Sequence, residues 1–174
     1  MRQDEPMTVR TMEMPERQLV LVVDDSPGDR EFYARLLGKY PDGHYVVSEA
    51  DSGELGLQCC RRDHPVCILL DYRLPDVDGL EFLEELTKDQ GDNAPPVIML
   101  TGEGNEEIAV KALKAGAQDY LVKSKITTER LGLAIDRAVQ NVAARRKLSE
   151  LETLKSDFLA MASHELRTPL TITE

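Results

Sequence analysis

Leu19-Val20-Leu21-Val22-Val23-Asp24-Asp25-Ser26-Pro27 decides the fold: five apolar residues run straight into two carboxylates and a helix-start signal. A continuous apolar run, as opposed to an alternating one, marks a strand buried on both faces, hence a parallel sheet. Ser26-Pro27 reads as an N-cap followed by proline at the first helical position. Working outward, Val66–Leu70, Val97–Leu100 and Tyr120–Val122 have the same character, and a weaker run, Tyr45–Val47, follows the first helical stretch. Between them Phe32, Leu36 and Leu37 share a helical face, as do Leu80, Leu83 and Leu86, and then Ile108, Ala112 and Leu113. Gly116 stands where a helix C-terminal glycine is expected. Strand–helix repeated five times predicts an α/β fold, a doubly wound five-stranded parallel sheet, over residues 18–141.

The chain has 174 residues and a formal charge of −11, with 41% hydrophobic and 30% charged residues. That length buries a core without staples. The acidic balance argues against a nucleic-acid-binding module. No run approaches the ~18 apolar residues of a membrane span. Residues 1–17 mix Met, Pro and charges and read as a disordered lead-in. Cys59, Cys60 and Cys67 are odd in number and contain no Cys-x-x-Cys pair, so neither a disulfide framework nor a zinc site is expected. A reducing cytoplasm suits them. His44 and His64 read as surface residues.

Ligands of open α/β sheets bind beyond the carboxyl ends of the strands. Those ends carry Asp24 and Asp25 after the first run, Asp71 after the third, Thr101 after the fourth and Lys123 after the fifth. A lone Asp at such a place is usually a turn residue. Joint occurrence at four strand ends instead predicts a single rim site. Clustered carboxylates repel one another unless a cation joins them, and a hard divalent ion such as Mg²⁺ is the natural partner. A carboxylate beside Mg²⁺, a hydroxyl and an ammonium is suited to attack phosphorus.

Leu-Val-Val-Asp24-Asp25-Ser, Asp71-Tyr-Arg-Leu-Pro-Asp-Val-Asp-Gly79, Thr101-Gly and Asp-Tyr120-Leu-Val-Lys123 together resemble the receiver domain of two-component response regulators, a flavodoxin-like fold. The resemblance implies that Asp71 is the phosphoacceptor. It implies that Asp24, Asp25, Asp71 and the backbone carbonyl of Arg73 hold Mg²⁺. Thr101 and Lys123 would contact the phosphoryl group, and Tyr120 would be the rotating aromatic of the switch. One position departs from the family pattern: Ser124 stands where a proline usually follows the lysine.

The tail differs. From Leu133 to Thr168 there is no Gly and no Pro. Leu131, Ile135, Ala138 and Val142 form one stripe, and Leu151, Leu154, Phe158 and Met161 form a second with coiled-coil spacing. The two are out of phase near Arg145–Leu148, as a stammer would make them. Phe158-Leu-Ala-Met-Ala-Ser-His164-Glu165-Leu-Arg-Thr168-Pro169-Leu resembles the phosphoaccepting H-box of histidine kinases. By that resemblance His164 receives phosphate from ATP, Glu165 is its acid/base partner, and Glu165 with Thr168 serves the reverse phosphatase reaction. Residues 142–174 are then a coiled-coil linker helix and a truncated kinase dimerisation helix, pairing two chains in parallel. The expected parent is a hybrid histidine kinase. This piece has no Gly-rich phosphate loop, so no kinase activity is expected of it alone.

The expected function is therefore phosphorelay signalling, with a histidine kinase or phosphotransfer protein as phosphodonor and a response regulator downstream. Two other classes compete. A haloacid-dehalogenase-like phosphatase shares the Asp nucleophile and Mg²⁺ but needs an Asp-x-Asp pair, and Asp71 is followed by Tyr72 and Arg73. An adaptor would use the carboxylates without phosphate. Two geometric expectations complete the reading. Arg73 and Glu103 pair above the pocket. His164, about 40 residues beyond Lys123, sits some 60 Å away if the connection is one helix, beyond direct transfer to Asp71 of the same chain.

Overall fold

The computed structural model describes residues 17–41, 44–102 and 106–167. The elements are β1 (Gln18–Val23), α1 (Pro27–Gly38), β2 (Tyr45–Ala50), α2 (Gly53–Asp63), β3 (Cys67–Asp71), α3 (Gly79–Gln90), β4 (Val97–Thr101), α4 (Glu106–Lys114), β5 (Asp119–Val122) and α5 (Thr128–Arg167). Short 3₁₀ turns cover Gly91–Asn93 and Lys123–Lys125. All strand pairs are parallel, in the order β2-β1-β3-β4-β5. This is the flavodoxin-like doubly wound sheet, with its switch point between β1 and β3.

The apolar runs are continuous because both faces of each central strand are covered. On β1, Val20 and Val22 meet Tyr33 and Leu37 of α1 and Leu131, Ile135 and Ala138 of α5. Leu21 and Val23 point the other way, into a second core with Leu57, Phe82, Leu83, Leu86 and Ala112. Phe82, Leu83 and Leu86 are among the most buried side chains. Cys59, Cys60 and Cys67 are buried free thiols, and burial pushes Cys60 and Cys67 up to about 12, so both are inert. His44 and His64 are exposed.

Two helical faces differ from expectation. On α1 the buried stripe is Tyr33 and Leu37, one turn apart, while Phe32 is 38% exposed and rests edge-on against Tyr33. On α4 the buried residue is Ala112, and Leu113 is 50% exposed. Adjacent helical residues are about 100° apart, so a short helix resting on a flat sheet buries only one of two neighbouring apolar positions.

The last helix runs unbroken for 40 residues, about 60 Å. Gly132 does not interrupt it. A Cβ there would lie 2.4 Å from the Tyr40 ring, so the glycine lets α5 press directly onto that aromatic. The Tyr40 hydroxyl donates to Asp136 Oδ2 at 2.7 Å, the Tyr45 hydroxyl donates to Asp136 Oδ1, and the two rings stack. These contacts seat α5 on α1 and β2. Farther along, Arg146 Nε and Nη2 donate to the carbonyls of Asp92 and Ala94 at 3.2 and 3.0 Å. Past that point Leu148, Leu151, Leu154, Phe158, Leu159 and Met161 are all more than half exposed.

The phase break thus falls where the helix leaves its own sheet domain. The first stripe packs on the chain's own sheet. Leu151, nine residues after Val142, lies about 180° around the helix and faces the opposite way.

Candidate functional site

The site is assembled where β1, β3, β4 and β5 end. Asp24 follows β1 and is fully buried, whereas Asp25 beside it is exposed. Asp71 and Thr101 are the last residues of β3 and β4, 7% and 6% exposed. Strand register brings these ends level: Asp71 pairs with Leu100 and Thr101 with Val122. Lys123 opens the 3₁₀ turn after β5 and reaches back across the rim. Asp71, Arg73, Thr101 and Lys123 line one cavity of about 420 Å³ with Tyr72, Gly102 and Ile108.

Lys123 is the hub. Its Nζ donates to Asp24 Oδ2 at 2.7 Å, Asp29 Oδ2 at 2.8 Å and Asp71 Oδ2 at 3.1 Å. Burial works to lower the Lys123 pKa, but the three carboxylates outweigh it and hold the group above its ordinary value, fully cationic. Burial raises Asp24, opposed by Lys123 and the Ser26 N–H and reinforced by the Asp71 charge. Asp24 thus carries the cost of a desolvated carboxylate even with its ammonium partner.

Local structure explains the placement. Ser26 caps α1 by accepting from Asp29 N, with Pro27 at the helix start as expected. The Arg73 N–H donates to Asp71 Oδ1 at 3.3 Å, curling the loop after β3 around the carboxylate. That loop is anchored at its far side, where Asp76 accepts from the Gly53 and Glu54 N–H groups at the start of α2. Asp78 then caps α3 in a reciprocal capping box with Glu81. No cis peptide bond occurs among the described residues, and Ser124 lies within the 3₁₀ turn.

The sequence-derived residues meet in part. Asp24, Asp25 and Asp71 bring one carboxylate oxygen each to within 4.8 Å of one another. This all-oxygen, anionic donor set fits a hard divalent cation such as Mg²⁺, which takes one or two carboxylates and keeps several waters. Tyr120 is half-buried on β5 against the core under α2, α3 and α4. Arg73 is exposed at the rim, and its expected partner Glu103 lies outside the described residues. His164 and Glu165 are exposed on α5, and Thr168 lies outside the described residues. Because α5 starts beside the rim and Arg146 reaches the loop preceding β4, the helix leaves at the opposite, N-terminal end of the strands. His164 therefore does not join the carboxylate site. It is 36 positions past Thr128, about 54 Å along the helix.

Two participants were not anticipated. Asp29 supplies a third carboxylate to Lys123, and Arg30 binds the Asp24 carbonyl at 2.7 Å and Glu49 at 2.9 Å. Their one sequence signal is position: the first turn of the helix that abuts Asp24 and Asp25.

Among the described residues no helix is long and apolar enough to cross a membrane. Residues 20–136 match the model of the response regulator receiver domain. Hybrid signal transduction histidine kinase D of Dictyostelium discoideum is 30% identical over 141 residues, 81% of this chain but 9% of that protein. Protein PilH of Pseudomonas aeruginosa is 36% identical over 104 residues, 60% of this chain and 84% of that protein. The C4-dicarboxylate transport transcriptional regulatory protein DctD of the same species is 34% identical over 84% of this chain, which spans 29% of its length. Among solved structures, a response regulator receiver domain protein from Clostridium thermocellum superposes with a TM-score of 0.64 at 29% identity, covering 75% of this chain and 98% of that one. NtrX from Brucella abortus gives 0.69 at 31% identity, over 78% of this chain and 30% of that one. With its sheet order, its rim of carboxylates and these matches, the chain belongs to the response regulator receiver domain family of two-component signalling.

Proposed function

We propose that Asp71 is phosphorylated and that its state is passed along α5 to a histidine kinase module whose phosphoacceptor is His164. The observation that carries the first half is Lys123 Nζ at 3.1 Å from Asp71 Oδ2, with Asp24 and Asp29 on the same ammonium and Asp25 beside Asp24 and Asp71. An Asp71 oxygen attacks phosphorus of a phosphohistidine on a donor kinase or phosphotransfer protein. The new O–P bond forms as the P–N bond breaks, and the departing imidazole keeps its electron pair and takes a proton from solvent. Lys123 and Thr101 stabilise the equatorial oxygens. Asp24, Asp25, Asp71 and the Arg73 carbonyl would hold Mg²⁺, which supplies charge neutralisation at those oxygens when bound. Tyr120 and Thr101 would shift together as the state changes.

The second half rests on the unbroken α5 and on its exposed stripe Leu151, Leu154, Phe158 and Met161, which suits parallel pairing with a second copy. His164 would take phosphate from ATP bound by a kinase domain, with Glu165 and Thr168 as its partners, and a response regulator would act downstream. The separation along α5 favours an input receiver, phosphorylated by another protein and not by its own His164. Three buried free cysteines suit a reducing cytoplasm. Arg73 stands where a haloacid-dehalogenase-like phosphatase needs its acid, which disfavours that reading.

Acetyl phosphate with Mg²⁺ should add one phosphoryl group by intact mass, and Asp71→Asn should add none. Uptake by Asp71→Asn at the same site, or none by the unaltered chain, rejects the assignment.

A further inference from the structure

We propose that Asp29 is a positioning residue that holds the Lys123 ammonium in the unphosphorylated site and must yield it when Asp71 carries a phosphoryl group; this rests on the reading of Asp71 as phosphoacceptor. Of the three carboxylates on Lys123, Asp24 and Asp71 belong with Asp25 to the oxygen cluster that fits a divalent cation. Asp29 does not. A cation that draws on the Asp24 and Asp71 oxygens therefore leaves Asp29, at 2.8 Å, as the lysine's remaining anionic partner.

The backbone that delivers Asp29 is fixed on both sides. Its N–H is tied to the Ser26 cap. The next residue, Arg30, is bonded at once to the Asp24 carbonyl and to Glu49 on β2. The first turn of α1 is thus locked to the ends of two strands, and only the Asp29 side-chain torsions are free to respond.

A phosphoryl group on Asp71 would bring a denser negative charge to the same ammonium. Asp29 then competes with it for Lys123 and repels it, so the carboxylate favours the unphosphorylated state. A group shifts a two-state equilibrium by its differential interaction with the two states.

The test uses beryllium trifluoride as phosphoryl mimic on the ¹⁵N-labelled chain with Mg²⁺. Asp29→Asn should tighten its binding up to about five-fold, the scale of a partly exposed ion pair. Asp29→Ala should act in the same direction. In metal-free buffer without mimic, the Lys123 ammonium signal should broaden in both variants as exchange with water quickens. Glu31→Gln removes one charge from the same helix at a side chain bonded to Arg35, and should leave binding within about two-fold and the signal unchanged. Unchanged or weaker binding in Asp29→Asn overturns the proposal, as does the same gain in Glu31→Gln. If the unaltered chain binds no mimic, the phosphoacceptor reading fails with it. The ammonium signal, read without mimic, then reports separately whether Asp29 holds Lys123.

Discussion

Arg146 Nη2 lies 3.0 Å from the Ala94 carbonyl, and this pair marks where the long helix parts from the sheet domain. The same guanidinium reaches Asp92 O. Upstream, Ala138 is buried and Val142 half-buried. Downstream, nearly every side chain is exposed. The contact lies at the N-terminal ends of the strands, opposite the end that carries Asp71.

Arg146→Ala should therefore loosen the exit without unfolding the domain. Two exposed charge-assisted bonds contribute about 1 kcal/mol. The expected outcome is faster amide exchange from about Val142 to Glu150, with the amides of β1 and β3 unchanged, read by hydrogen–deuterium exchange.

Gly132→Ala should destabilise the chain although alanine is the better helix former. The added Cβ meets Tyr40 ring carbons at 2.4 Å, and that ring cannot swing aside freely, being stacked on Tyr45 and hydrogen-bonded to Asp136. Overpacking costs typically 1–3 kcal/mol against a helix gain of ~1 kcal/mol, so a net loss of about 1 kcal/mol is expected in urea denaturation. The double variant with Tyr40→Ala should show no added cost from the glycine change.

Asp24→Asn should stabilise the metal-free chain near neutral pH. The folded-state pKa of Asp24 is raised, first by burial, with Lys123 and the Ser26 N–H opposing. A carboxylate raised above its ordinary 3.8 is easier to ionise when unfolded, so its ionisation lowers stability as pH climbs through the raised value. The gain from Asn should thus be present at pH 7 and vanish below about pH 4. Added Mg²⁺ should stabilise the unaltered chain more than the variant, since Asp24 is a candidate ligand. Thermal denaturation at several pH values checks both.

Asp76→Asn gives the opposite pH sign. The small burial of Asp76 acts to raise its pKa, but the N–H groups of Glu54 and Gly53, with its own and that of Val77, hold it below 3.8. Such a group contributes stability above its unfolded pKa and loses it as pH falls through the folded value. The variant should lose about 1 kcal/mol at pH 7, because an amide keeps one acceptor oxygen for the two N–H groups of Gly53 and Glu54, with the difference closing in acid. Exchange of the loop between Tyr72 and Asp78 should quicken as its anchor on α2 weakens.

Apolar runs and the residues that end them locate the sheet and most of the rim without coordinates. Val20 to Val23 and Ile68 to Leu70 are apolar at every position because both faces are covered, and that pattern survives without coordinates. Strand ends in a doubly wound sheet face one rim, so Asp24, Asp25, Asp71, Thr101 and Lys123 could be gathered from their positions alone. Helix orientation and contacts distant in sequence leave no such trace in the spacing. Asp29 is on Lys123 because the first turn of α1 abuts the end of β1, and the two residues are 94 positions apart. Tyr33 is buried and Phe32 is not because the angle of α1 on the sheet selects between neighbours. The break near Arg145 had the spacing of a stammer, but a helix stripe carries no label for its partner. Only the packing of Leu131, Ile135 and Ala138 on the chain's own core, and the Arg146 bond to the Ala94 carbonyl, show that the first stripe is spent within the domain while the second is left exposed.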